Sequence, residues 1–290
     1  MSTSDGRVLS TTRIVDNGSD RRRWNLALMG DGYTEAELGA YHTHCRDFVD
    51  HLLSTPPFDL MSGAINVFRI DVASRESGAD EPAACGGSGA RPRTFFDASF
   101  CGFGTQRLLV VKQETALRTA RRQVPRNHVG MVIVNSTVYG GSGGGVAVFS
   151  VAEHAFEIGI HEMGHTFFKL ADEYSTLAGC DSGETGHDTY GGGEPREVNA
   201  TKEKNPARVK WRNVITPGTA IPTTRNADCR RCDPQPSPVP PGTVGLFEGS
   251  RYFHCGLFRP EFDCKMRTLG KPFCAVCRNE IIRQLNRFRA

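Results

Sequence analysis

HEMGHTFFKLADEY, residues 161–174, sets two imidazoles, a carboxylate and a later acidic pair at spacings that suit a catalytic zinc ion. On an α-helix His161 and His165 leave the same face one turn apart, so both can meet one metal ion. Glu162 points to a neighbouring face, from which it can reach a water on the metal without becoming a ligand. A carboxylate so placed can take the water's proton, as metal-assisted hydrolysis of a peptide bond requires. Zinc does the other half of the work, lowering the water's pKa from about 15.7 to about 7 and polarising the scissile carbonyl. The motif predicts a zinc hydrolase with His161 and His165 as metal ligands and Glu162 as general base. With so few fixed letters, an exposed helix turn could produce the same string by coincidence. The preceding residues argue otherwise: Val151, Ala152, Ala155, Phe156, Ile158 and Ile160 form an apolar run that reads as a buried helix. Burying His and Glu side chains without partners is costly, and a metal that satisfies them is the simpler explanation.

A catalytic zinc usually takes three protein ligands and leaves one position for water. The sequence offers Asp172, with Glu173 as the alternative. If the helix ran straight on from His165, Asp172 would lie about 10 Å further along the axis, too far to share the metal. The chain is therefore expected to turn soon after His165. A glycine in the left-handed conformation is the usual device for such a turn, yet Thr166, Phe167, Phe168, Lys169, Leu170 and Ala171 include none. The bland alternative is that both acids merely start or cap the next segment.

The pattern HExGH followed by a DEY triplet resembles the immunoglobulin A peptidase family of bacterial zinc metallopeptidases. Four further blocks are similar to that family and stand in the same order: Asn25–Thr34 (NLALMGDGYT), Ser74–Asp80 (SRESGAD), Val132–Gly145 (VIVNSTVYGGSGGG) and Leu246–Cys277 (LFEGSRYFHCGLFRPEFDCKMRTLGKPFCAVC). The resemblance covers most of residues 20–285. It implies His161, His165 and Asp172 as zinc ligands and Glu162 as general base. Lys169 is a departure, since members of the family commonly carry glycine at that place.

The chain's 290 residues fit one large domain or two small ones, with the charge and apolar fractions of a soluble globular protein. Its 35 Lys and Arg against 32 Asp and Glu leave nothing that argues for nucleic acid or a membrane surface as partner. No apolar stretch approaches the roughly 18 residues of a membrane span, and MSTSDGRVLS lacks the apolar core of a signal peptide. Ten cysteines (Cys45, Cys85, Cys101, Cys180, Cys229, Cys232, Cys255, Cys264, Cys274 and Cys277) are many for a cytoplasmic enzyme, and the even count fits disulfides. A secreted or extracytoplasmic location is therefore suspected, while reduced thiols in the cytoplasm remain an option. Cys229-x-x-Cys232 with Cys274-x-x-Cys277 invites a structural zinc, but their separation exceeds that of a common zinc ribbon, and disulfides are favoured. The preferred pairings are Cys85 with Cys101 and Cys264 with Cys274 or Cys277.

Along the chain, a strand at Asn25–Met29 leads through Gly30-Asp31-Gly32 to a helix starting at Thr34, where Glu37 completes a capping box. Leu38, Tyr41, Cys45, Phe48, Val49 and Leu52 recur at helical spacing, which leaves His42, His44 and His51 as surface histidines. Ile65–Val72, Arg107–Val111 and Val129–Asn135 read as strands, Glu114–Arg122 as a helix, and Val146–Ser150 as a further strand. The glycines at 143–145 lack the Lys-Ser/Thr ending of a phosphate loop, leaving a plain mobile loop or the rim of a cleft that pairs with an extended substrate. Past Tyr174 the chain is loop-rich; Pro234–Gly242 is irregular, and a final helix lines up Ile281, Ile282, Leu285 and Phe288. Met266 resembles the methionine turn beneath the zinc of related peptidases, and is otherwise a core methionine. Tyr252 and His254 are candidates to donate to an oxyanion.

Together these features predict an α/β zincin-like metallopeptidase. Residues 1–19 form a flexible N-terminal extension. Residues 20–290 form a single peptidase domain, with an α/β half over 20–165 and a loop-rich, Cys-rich half over 166–290 flanking a cleft. The expected function is zinc-dependent endopeptidase on a protein or peptide substrate. The alternatives are a zinc amidase or exopeptidase acting on short or cell-wall peptides, and a non-catalytic metal-containing binding module. Intact Glu162 disfavours the last, because a structural site needs no base beside its ligands.

Overall fold

A computed structural model describes residues 2–176, 186–232 and 236–289; Cys180 and the start of the Pro234–Gly242 segment lie outside them. The chain divides into two compact units, Met1–Phe167 with Leu285–Ala290, and Phe168–Gln284.

The first unit is built on a mixed seven-stranded sheet: β1 (Ser2–Thr3), β2 (Gly6–Val15), β3 (Trp24–Asp31), β4 (Ile65–Ser74), β5 (Val129–Val134), β6 (Gly141–Ser142) and β7 (Ala147–Ser150), in the order β1-β2-β4-β3-β5-β7-β6. The four central strands β4, β3, β5 and β7 run parallel, and β2 and β6 are antiparallel to their neighbours. Every residue of β3 and β5 is buried. Parallel strands covered on both faces need apolar side chains at successive positions, so LALM and VGMVIV read as continuous runs rather than alternating ones.

Three helices belong to this unit, α1 (Leu38–Ser54), α2 (Gln113–Gln123) and α3 (Ala155–Thr166). The expected capping box is present: Glu37 Oε2 accepts from Thr34 N at 2.9 Å and from Thr34 Oγ1 at 2.7 Å. It nucleates a short 3-10 turn, Glu35–Glu37, that leads into α1. Tyr41, Cys45, Phe48, Val49 and Leu52 are the buried stripe of α1. On the sheet's other face, Ala116, Ala120 and Val124 join Ala27, Met29, Ile70, Val132 and Val148 in one core cluster. Close approach fixes α3: a Cβ on Gly159 would meet Phe149 of β7 at 2.8 Å and Phe48 of α1 at 3.0 Å. His51 Nε2 also reaches Glu157 Oε1 of α3 at 2.7 Å. The other α1 histidines are half-buried and partnered too, His42 by Asp71 and His44 by Tyr33.

Three expectations need correction. Residues 1–19 are not a flexible extension, because Gly6–Val15 is a ten-residue strand on β4. Its exposed and half-buried residues alternate irregularly, so it carries little hydrophobic signal. Arg107–Val111 enters no ladder; Leu108 and Val110 make only single bridges, to Gly141 and Ser99. The helix that carries His161 begins at Ala155 rather than Val151, because His154 at its N-terminus takes a left-handed φ of 64°.

The second unit has few regular elements: the hairpin β8 (Phe247–Ser250) and β9 (Phe253–Arg259), and α4 (Ala275–Leu285). Arg251 and Tyr252 turn the hairpin with φ of 52° and 69°. Irregular segments attach to β9 through mutual backbone bonds between Thr201 and Phe258, and through Tyr190 N to Cys255 O at 3.0 Å. A disulfide joins Cys229 to Cys255, and Cys232 is also disulfide-bonded. In the first unit Cys85 pairs with Cys101, as expected. No helix among the described residues is long and apolar enough to cross a membrane.

Asp31, at the end of β3, organises the loop beyond the sheet. Its buried carboxylate accepts from Phe96 N at 2.9 Å, Ala98 N at 3.0 Å, Thr94 Oγ1 at 2.8 Å and Ser74 Oγ at 3.2 Å. Burial nevertheless pushes its pKa up to about 6. Replacement by alanine strands the buried Phe96 N–H, at a cost of roughly 1–3 kcal/mol, and leaves Ala98 N–H with Thr94 Oγ1 at 3.2 Å alone. Asp31→Ala is expected to lower unfolding free energy by about 2–4 kcal/mol in urea titrations. A loss below about 0.5 kcal/mol, the level of an ordinary surface change, would contradict this role.

Candidate metal centre

His161 and His165 leave α3 together, His161 buried and His165 half-buried. Their Nε2 atoms are 3.1 Å apart, with the rings at 85°. Two imidazole nitrogens on one tetrahedral zinc, each about 2.0–2.1 Å from it, would stand about 3.3 Å apart. The pair therefore fits one ion. Asp172, the third expected ligand, belongs to the second unit. Two neutral nitrogens and one carboxylate are the donor set of a catalytic zinc with a position left for water.

Glu162 follows His161 on the helix, and the glycine loop passes over its carboxylate. A Cβ on Gly143 would stand 2.6 Å from Glu162 Oε2 and 3.6 Å from His165 Cβ. No side chain fits there without moving the Glu162 head group. Of the two readings left open for residues 143–145, this proximity favours the rim: Gly144 and Gly145 are exposed immediately beyond β6.

The expected turn after His165 exists, and Lys169 makes it. Phe167 closes α3 with its N–H on Met163 O at 3.1 Å, and Lys169 then adopts a left-handed φ of 58°. A lysine carries the conformation that a glycine would take without steric cost. For an L-residue this region costs about 1–2 kcal/mol, so surrounding interactions must hold the turn.

Those interactions are hydrogen bonds along residues 171–174. Fully buried Asn199 accepts from Ala171 N at 2.8 Å and donates to Ala171 O at 2.9 Å, and the same amide donates to Glu173 Oε1 at 2.8 Å. The hairpin turn holds the same segment: Arg251 N and Ser250 Oγ donate to Asp172 O at 3.0 Å and 3.1 Å, and Tyr252 N to Tyr174 O at 3.0 Å. Glu173 N bonds Met266 O at 2.7 Å, so Met266, fully buried, is tied to the acidic pair through its backbone.

Tyr252 and Tyr174 orient the Asp172 carboxylate. The Tyr252 hydroxyl donates to Asp172 Oδ2, and Tyr174 is hydrogen-bonded to the same carboxyl. Burial, then the Asp172 charge, pushes the Tyr174 phenol well up, so it remains a protonated donor at neutral pH. Tyr252, a candidate oxyanion donor by sequence, thus reaches Asp172 in this structure. His254 is used elsewhere, with Nδ1 3.0 Å from Cys229 O and Nε2 3.8 Å from Cys232 Sγ.

Glu173 goes to a second group, formed with Cys264, Cys274 and Cys277, whose ligand atoms also lie within 4.8 Å of one another. This corrects the expected pairing of Cys264 with Cys274 or Cys277: all three are free thiols, with Cys264 and Cys277 sulfurs 3.9 Å apart. Asn199 and Ser250 carried no sequence signal, because each acts through backbone contacts far along the chain.

The family model described as IgA Peptidase M64 matches residues 12–233 and 237–285. A search of curated proteins finds no match.

Lys169→Gly removes the left-handed strain, while glycine's freer unfolded state takes back about 0.5–1 kcal/mol. The variant is expected to gain up to about 1 kcal/mol in urea denaturation, and Lys169→Val to lose about 1 kcal/mol or more. Equal stability of the glycine and valine variants would show that residue 169 is not held left-handed.

Proposed function

This chain belongs to the IgA peptidase M64 family, and from that membership and the geometry around His161 we propose that it is a zinc-dependent endopeptidase with a zincin-like active site. The observation that carries the proposal is the 3.1 Å approach of His161 Nε2 and His165 Nε2, with Glu162 on the same helix. His161, His165 and Asp172 would hold the ion. When bound, zinc supplies a Lewis acid for the scissile carbonyl and makes a water acidic enough to ionise near neutral pH.

The chain's own residues do the rest. Glu162 takes the proton of the attacking water and returns it to the leaving amine nitrogen as the peptide bond breaks. Tyr174 and Tyr252 keep the Asp172 carboxylate aimed, as outer hydrogen bonds to a ligand do in other metal sites. The glycines at 143–145 offer backbone groups beside Glu162, and their lack of side chains lets an extended peptide approach closely. A surface that receives an extended backbone favours internal cleavage over removal of terminal residues. The family implies protein or peptide substrates. The disulfides are compatible with a secreted or extracytoplasmic enzyme.

Glu162→Gln is expected to keep its metal content and to lose peptide cleavage by about 10²-fold or more. Asp172→Ala is expected to bind zinc at least about 10-fold more weakly, since losing a ligand should cost no less than losing a group that merely orients one. Metal analysis with a fluorogenic peptide assay checks both. Wild-type turnover in Glu162→Gln, or unchanged zinc affinity in Asp172→Ala, would contradict these assignments.

A further inference from the structure

We propose that Glu173, Cys264, Cys274 and Cys277 form a second metal site, a structural zinc site that anchors the acidic segment within the second unit. All four residues are buried: Glu173, Cys264 and Cys277 are 0 % exposed and Cys274 is 2 % exposed.

The distances fit one tetrahedral ion. With Zn–S of about 2.3 Å and Zn–O of about 2.0–2.2 Å, two sulfurs on one zinc stand about 3.8 Å apart, and a sulfur and an oxygen about 3.6 Å. The Cys264 and Cys277 sulfurs are 3.9 Å apart, and Glu173 Oε1 lies 3.4 Å from Cys277 Sγ and 3.8 Å from Cys274 Sγ. A disulfide uses two sulfurs and would leave the third thiol unpaired, and Cys45, the other free cysteine among the described residues, sits on α1. One cation uses all three sulfurs and the carboxylate.

A second observation is independent of the sulfurs. Glu173 Oε2 is buried and has no hydrogen-bond partner among the described residues, while Oε1 already accepts from Asn199. Leaving a buried carboxylate oxygen bare is costly, and a cation held by the same carboxylate offsets that cost by opposite charge. Backbone N–H groups also point at the sulfurs: Cys274 N lies 3.2 Å from Cys264 Sγ, and Cys277 N lies 3.4 Å from Cys274 Sγ. Such donors favour the thiolate form that a metal needs, as does the N-terminus of α4, which begins at Ala275. Three thiolates and a carboxylate around a divalent ion carry two net negative charges, and the guanidinium groups of Arg259 and Arg267 both act electrostatically on Glu173. Soft sulfur donors in a closed tetrahedral set, with no position left for water, select zinc in a structural role.

The test uses the full chain. Wild-type protein reconstituted with zinc is expected to hold two equivalents, and His161→Ala/His165→Ala to hold one. Cobalt in that double variant should give an intense thiolate-to-metal charge-transfer band. Titrating the zinc-loaded double variant with an organomercurial should release its single equivalent as the three thiols react. Glu173→Gln in the same background is expected to weaken zinc binding at least 10-fold. A double variant that is folded by circular dichroism but binds no zinc, or whose cobalt spectrum lacks the thiolate band, overturns the proposal. Wild-type protein that binds one thiolate-bound equivalent and no other supports this site and counts against the catalytic site alone.

Discussion

Asn199 gives the backbone at Ala171 the pair of hydrogen bonds that a neighbouring strand would otherwise supply, and both candidate metal groups depend on that substitution. The segment 171–174 has no ladder of its own, yet its polar groups are buried and must be satisfied. Side chains and the hairpin turn at Arg251 and Tyr252 satisfy them. With the backbone so fixed, two adjacent acids are held for different groups: Glu173 lies among the cysteines, and Asp172 is the carboxylate proposed for the metal of the histidines. Moving the segment by one residue would present the wrong carboxylate to each. The left-handed Lys169 and the left-handed hairpin residues are tolerated because these bonds over-determine the local path.

Before that segment, the constraint is close packing. Gly159 lets α3 lie against β7 and α1 with no room for a Cβ, and Gly143 lets the loop after β6 run over Glu162. One glycine thus positions the helix and the other the space above its carboxylate. Neither is a flexible joint in this role; each is a place where a side chain would displace a neighbour. Gly32 acts similarly at the end of β3, where a Cβ would stand 2.0 Å from Gly78 O and the chain takes a positive φ of 70°.

Much of this was legible in the sequence because it rests on short-range chemistry. The buried strands at Trp24–Asp31 and Val129–Val134 announce themselves as apolar runs, the Thr34–Glu37 capping box marks the start of a helical segment, and the spacing of His161 and His165 puts them on one face. The need for a turn before Asp172 followed from helix rise alone, although nothing local identifies Lys169 as the residue that makes it. Long-range pairing was not legible. Gly6–Val15 is a strand only because β4 offers an edge, and Asn199 matters only through Ala171 and Glu173, distant in sequence. The cysteines show the same limit: Cys85 and Cys101 close one loop and pair with each other, whereas Cys264, Cys274 and Cys277 gather around a carboxylate that their spacing does not mention.

The proposed function requires that internal peptide bonds be cut by a reaction that needs a metal held by His161, His165 and Asp172. Mass spectrometry of a peptide-library digest tests it most directly, run with native protein, after chelation, and after zinc is returned. Cleavage is expected at internal bonds, with loss on chelation and recovery when zinc is returned. Cleavage that continues in protein shown to be metal-free would contradict it.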